Sequence, residues 1–185
     1  MPKVLEVNAV NFLKAGALGI GEEHNDPAGR RLVKELIDKG VVKKLFVELA
    51  KNTERFSRAM AAANAKAAEG GNIEEIASVA PCGDLDRLNE IPLNHLIAYA
   101  LFHGAQVFLA DDRSMAKLRG GNFDIRHAQI RDTFKEATGQ GAAKWYSEEA
   151  KGCLFLWGGA HFDHKTKSHL DDANFIYGLP WIEKG

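Results

Sequence analysis

Two histidines in this chain follow a glycine at the same offset, in Gly21-Glu22-Glu23-His24 and in Gly158-Gly159-Ala160-His161, and each stretch comes directly after a short apolar run. An imidazole with an unperturbed pKa of about 6.5 exchanges protons near neutral pH. Paired with a carboxylate it can move the protons that hydrolysis needs, and the same residue types hold divalent metals. Carboxylates stand at matching places: Glu22 beside His24, Glu48 near the end of the run LFVELA, and Asp111-Asp112 after QVFLA. His164 follows His161 at a spacing that shares a face if the segment is helical. A histidine–carboxylate site of this kind fits peptide, ester, lactone or phosphoester bonds equally, so the leaving group stays open.

These residues can meet only if the chain brings the ends of its apolar runs together. Four such runs, at 17–21 (ALGIG), 44–49 (KLFVEL), 106–110 (QVFLA) and 153–157 (CLFLW), alternate with helical stretches, and a weaker fifth lies at 175–177. The alternation predicts an α/β fold with a mainly parallel central sheet of four to five strands flanked by helices. In such sheets ligands gather at the carboxyl ends of the strands. Gly21 and the Gly158-Gly159 pair let the backbone turn sharply there and let a ligand approach.

The connecting helices carry their own signals. Asp26 is placed to cap a helix with Pro27 at its first position; Leu32, Val33, Leu36 and Ile37 form its apolar face and Gly40 stops it. An alanine-rich helix is expected from Asn52 or Thr53 to about Glu69, and another from Asn72, where Glu75 completes a capping-box spacing. Leu93, Leu96, Ile97, Ala100 and Leu101 recur at helical spacing up to Gly104. Residues 123–138 and 142–151 read as two further helices, separated by Gly139-Gln140-Gly141.

The paired G-x-x-H stretches (GEEHNDPAGRRLV and LWGGAH), the acid of LFVELA and the Arg131-Asp132 pair in IRDTF resemble the superfamily that joins the Tiki proteases, the TraB/PrgY proteins, the erythromycin esterases and the ChaN haem-binding proteins. The resemblance covers roughly residues 17–161, with Arg126 a second candidate for the arginine. It implies a hydrolase of the peptidase or esterase class, in one of two forms. In the first, His24 and His161, joined by Glu48 or Glu22 and with His164 a further candidate, hold Mn, Co or Zn and leave a position open for water. In the second, one histidine is the general base, a glutamate orients it and Arg131 stabilises developing negative charge.

The resemblance also implies two alternatives. One is a ChaN-like haem-binding module, for which Tyr99, Tyr146 and Tyr177 are available as ligands. The other is the catalytic domain of a bacterial toxin or effector, delivered as part of a larger secreted protein.

The composition bounds these readings. At 185 residues, 45% hydrophobic and 26% charged, the chain is expected to form one hydrolase-like domain over residues 1–185. Its 24 Lys and Arg against 25 Asp and Glu give a net charge of −1, without the basic excess of a nucleic-acid binder. The expected partner is a small-molecule or peptide substrate; the oligomeric state is open. No run approaches the roughly 20 apolar residues of a membrane span. The opening MPKVLEVNAV has no signal-peptide pattern, so the chain is expected to be cytoplasmic unless delivered with a larger protein. GALGIG lacks the spacing of a dinucleotide or P-loop fingerprint. Cys82 and Cys153 are far apart in sequence and are expected to be reduced thiols, Cys153 in the core.

Overall fold

The computed structural model describes residues 6–84, 86, 89–111, 123–142, 144–158 and 179–184. Five strands, β1 (Ala17–Glu22), β2 (Lys44–Ala50), β3 (Gln106–Asp111), β4 (Cys153–Gly158) and β5 (Trp181–Lys184), pair in the order β3-β2-β4-β1-β5, and every pairing is parallel. The helices are α1 (Ala9–Ala15), α2 (Ala28–Asp38), α3 (Glu54–Ala68), α4 (Ile73–Val79), α5 (Leu93–Phe102) and α6 (Phe123–Thr138). This is the α/β architecture expected from the alternation of apolar runs and helical stretches. All six residues of β1 are buried, as are all but the first of β2, which is the pattern of strands covered on both faces.

Side-chain alternation assigns each strand residue to one of two cores. Leu18, Ile20, Leu45, Val47, Leu49, Leu154 and Leu156 face the layer that includes Leu32, Val33 and Leu36 of α2 and Leu96 and Ile97 of α5. Phe46, Phe155, Trp157 and Ala110 face the other side, where Ile130 and Phe134 of α6 and Trp145 pack. Phe46 is stacked between Phe108 at 5.0 Å and Phe155 at 4.5 Å, its partners in register on the neighbouring strands. The same period of two places Glu22 on the face of Leu18 and Ile20, and Glu48 on the face of Phe46. The two glutamates thus lie at the strand ends but belong to opposite layers.

Several helix boundaries differ from the sequence reading by a residue or two. Helix α2 starts at Ala28 with Pro27, expected at its first position, at the N-cap; the Ala28 amide donates to Asp26 Oδ1 at 2.7 Å from just before it. The box expected at Asn72 is complete: the Glu75 amide donates to Asn72 Oδ1 at 3.0 Å and the Asn72 amide to Glu75 Oε2 at 2.8 Å. Replacing Asn72 with alanine is expected to cost about 1 kcal/mol, read as a fall in thermal midpoint. An unchanged midpoint would mean that packing alone holds α4.

Residues 142–151 are where expectation and structure part. The described residues among them form turns and bends rather than a helix. Gln140 Oε1 accepts from the Lys144 amide at 2.7 Å, its Nε2 donates to Ser147 Oγ at 2.8 Å, and Ser147 Oγ accepts from the Ala150 amide at 3.2 Å. The Trp145 carbonyl accepts from the Ala17 amide at 2.8 Å. These local and tertiary bonds take up groups that a helix would use. The weak run at 175–177 lies outside the described residues, and the fifth strand described is Trp181–Lys184. Helix α1 has no counterpart in the sequence reading.

Cys82 and Cys153 are both free and buried. Burial pushes the Cys153 thiol up to about 11, which keeps it an unreactive core group. No helix among the described residues is long and apolar enough to cross a membrane.

Candidate active site

The carboxyl ends of β1 and β2 bring three of the expected residues together. His24, just beyond β1, has its Nδ1 3.5 Å from Glu22 Oε1 and its Nε2 3.8 Å from Glu48 Oε2. A third carboxylate, Asp86 Oδ1, lies 3.5 Å from the same Nδ1. At 3.5 Å these contacts are at the outer limit of a hydrogen bond, and the buried Nδ1 has none fully formed. Contact with Asp86 first and Glu22 second, helped by the charge of Glu48, outweighs burial and pushes the imidazole up to about 10. The surrounding carboxylates thus favour the protonated ring. Its side chain remains 32% exposed.

Arg30 organises the buried side of this cluster. It is 0% exposed, and its guanidinium forks onto Glu22, Nε to Oε2 at 3.1 Å and Nη2 to Oε1 at 3.0 Å. Nη2 also donates to Asp86 Oδ1 at 2.5 Å, and Nη1 donates to the carbonyls of Ile91 at 2.9 Å and Asp86 at 3.3 Å. Gly29 permits this approach, because a Cβ there would stand 2.9 Å from the Glu22 Cβ. Burial raises the free energy of the Asp86 carboxylate, but the close contact with His24 and the Arg30 charge outweigh that and hold its pKa below the ordinary value. Two carboxylates are balanced by a guanidinium and an imidazolium.

The opposite layer fixes Glu48. Its Oε2 accepts from the Gly158 amide at 2.7 Å, and its Oε1 accepts from Arg126 Nη2. Arg126, on α6, also forks onto Asp111 with Nε to Oδ1 at 2.6 Å and Nη2 to Oδ2 at 3.1 Å, and lies 5.9 Å from the Trp157 ring centroid. The β2/β3 register shifts between Val47 and Ala50, an irregularity beside Glu48 of the kind that re-aims a strand-end side chain.

Glu22, His24 and Asp86 offer three ligand atoms within 4.8 Å of one another, the donor types that Mn, Co or Zn would accept. Glu22 Oε1 and Asp86 Oδ1 both accept from the same Arg30 nitrogen. A divalent ion bound there would compete with the buried Arg30 guanidinium for these carboxylates and would displace the proton from His24.

The chain is similar in fold to a type III effector, HopBA1. The likeness has a TM-score of 0.51 at 18% identity and covers 98% of this chain and 82% of HopBA1. No family model matches the chain, and no curated protein does. At that identity the likeness to HopBA1 concerns the sheet and its helices, not individual residues.

Of the expected site residues, Glu22, His24 and Glu48 converge. His161 and His164 lie outside the described residues, as do Asp112 and Tyr177. The guanidinium that reaches Glu48 is that of Arg126, the second candidate, whereas Arg131 lies farther along α6 with its Nε 3.8 Å from Asp132. Tyr99 donates its hydroxyl to Asp38, and Tyr146 is exposed. The sequence reading missed Arg30 and Asp86. Arg30 had a signal, since it falls on the same helical face as Val33 and Ile37 and a charge on an inward face requires an acidic partner. Asp86 had none, because it comes from the segment between α4 and α5 and not from a strand end.

Proposed function

We propose that this chain is a hydrolase of the peptidase or esterase class that works by proton transfer, without a resident metal at the Glu22–His24–Asp86 cluster. One observation carries the reading: a partly exposed histidine ring at the carboxyl end of a parallel sheet, ringed by Glu22, Asp86 and Glu48. Three carboxylates make His24 a proton donor rather than a resting base. His161, the second G-x-x-H histidine, is assigned the role of general base.

In this scheme the base removes a proton from water, the oxygen bonds to the substrate carbonyl carbon, and the carbonyl π electrons move to its oxygen. The tetrahedral intermediate collapses as the bond to the leaving group breaks, and the leaving atom takes the Nε2 proton of His24. The proton held by the base then returns His24 to its charged state. Glu48, anchored by Arg126 and the Gly158 amide, keeps the ring's outer edge in a negative field.

The test is turnover of ester, peptide and phosphoester panels by wild type, His24→Ala and His24→Ala/His161→Ala, each with EDTA and with added Mn²⁺, Co²⁺ or Zn²⁺. Ester or amide cleavage that persists in EDTA and is lost in both variants is the expected result. Turnover only with added metal, or equal behaviour of all three proteins, would overturn the proposal. A Soret band on mixing with haemin, unaffected by His24→Ala, would support the haem-binding alternative instead.

The likeness to a type III effector favours a second reading of context: the catalytic domain of a bacterial effector or toxin, delivered with a larger protein. Expression inside a eukaryotic host cell is then expected to arrest growth or kill, and His24→Ala to abolish the effect. Harmless expression of the wild type in several hosts and compartments counts against it.

A further inference from the structure

We infer that Asp86 and Asn89 are positioning residues for His24, fixing its ring and its backbone from a segment that belongs to neither G-x-x-H stretch. The inference deepens the proposed hydrolase reading and rests on it for the role of His24. Two independent sets of contacts converge on this histidine. Asp86 Oδ1 lies 3.5 Å from Nδ1 and is itself held at 2.5 Å by the fully buried Arg30, so the carboxylate cannot swing away from the ring without breaking a buried ion pair. Asn89 Nδ2 donates to the carbonyls of His24 and Asp26, both at 2.9 Å, while its Oδ1 accepts from the Ile91 amide at 2.9 Å. One side chain thereby ties the turn after β1 to the segment that precedes α5.

The direction of the contacts gives them a function. The buried Nδ1 lies 3.5 Å from both Asp86 and Glu22, which favours keeping a proton on that nitrogen and leaves Nε2, 3.8 Å from Glu48, as the nitrogen that serves the substrate. Proton transfer to a leaving group requires that nitrogen at a fixed place, and a displacement of about 1 Å can cost on the order of a hundredfold in rate. Gly83 preserves the space for Asp86, because a Cβ there would lie 2.5 Å from Asp86 Oδ2. Only the segment that closes back over β1 supplies both groups.

The test reads the ring directly and does not require turnover. In protein labelled with ¹⁵N at histidine, the imidazole signals that vanish in His24→Ala are those of His24. In wild type, the proton on Nδ1 is expected to be protected from exchange with water. Asp86→Asn and Asn89→Ala are each expected to speed that exchange at least about tenfold and lower kcat by about ten- to a hundredfold, with KM nearly unchanged. Asp86→Glu should restore part of both.

Asn89→Ala removes no charge and keeps the question open to measurement if Asp86→Asn does not fold. Unchanged His24 signals and kcat in a folded Asp86→Asn or Asn89→Ala protein would overturn the inference. Signals that respond to Asp86 in a protein that hydrolyses nothing would leave the positioning role standing and remove the hydrolase reading alone.

Discussion

Replacing Arg30 with methionine is expected to destabilise the protein by about 3–5 kcal/mol, the cost of leaving buried carboxylates without their counter-charge. Methionine keeps much of the volume of the side chain, so the loss is electrostatic and not a cavity effect. The guanidinium gives up two bonds to Glu22, one to the Asp86 carboxylate and two to backbone carbonyls, all in a position with no access to water. For a chain of this length that corresponds to a fall in thermal midpoint of roughly 6–20 °C. Urea denaturation of wild type, Arg30→Met and Arg30→Met/Glu22→Gln checks it. Because removing the Glu22 charge also removes the unpaired anion, the double variant should recover part of the loss. A single-variant cost below about 1 kcal/mol would show that water reaches this cluster and that Arg30 is not its organising cation.

His24 is expected to produce the largest change in activity. Its loss in His24→Ala removes the proton donor, and a positioned acid or base contributes about a hundredfold to ten-thousandfold. Since the imidazole is pushed from 6.5 up to about 10, kcat/KM should show no loss on its account through neutral pH and should fall as pH rises through about 10. The stability consequence has the same origin. A group whose pKa is raised on folding contributes stability that is complete below its unfolded value and is lost as pH rises through the folded one. Wild type should therefore lose stability relative to His24→Gln between pH 6.5 and about 10. Denaturation midpoints that run parallel for the two proteins across that window would mean that the three carboxylates do not hold the proton on His24.

Much of the scaffold was legible in the sequence because it follows from local periodicity. Apolar runs alternating with capped amphipathic stretches led to a parallel sheet covered on both faces, and the Asn72–Glu75 spacing led to a complete capping box. The convergence of Glu22, His24 and Glu48 followed from one further step, that the carboxyl ends of parallel strands lie side by side. Residues 142–151 escaped because their helical composition was outweighed by Gln140 and Ser147 bonding to nearby backbone and by the Trp145 carbonyl's bond to β1.

The electrostatic character of the site was decided only by the tertiary structure. Taken alone, the sequence determined that histidines and acids end the strands, a set that suits a metal or an acid–base pair equally. Closure of the segment after α4 over β1 added Asp86, and the packing of α2 against β1 through Gly29 added Arg30. Those two residues change the meaning of the other three. Arg30 supplies a fixed positive charge to Glu22 and Asp86, and Asp86 favours a proton on His24. The α6 face made a second choice of the same kind, presenting Arg126 to Glu48 and Asp111. A charge in a strand-end cleft is set by which neighbours share its low-dielectric surroundings, and that depends on contacts between residues far apart in the chain, which spacing along the sequence does not encode.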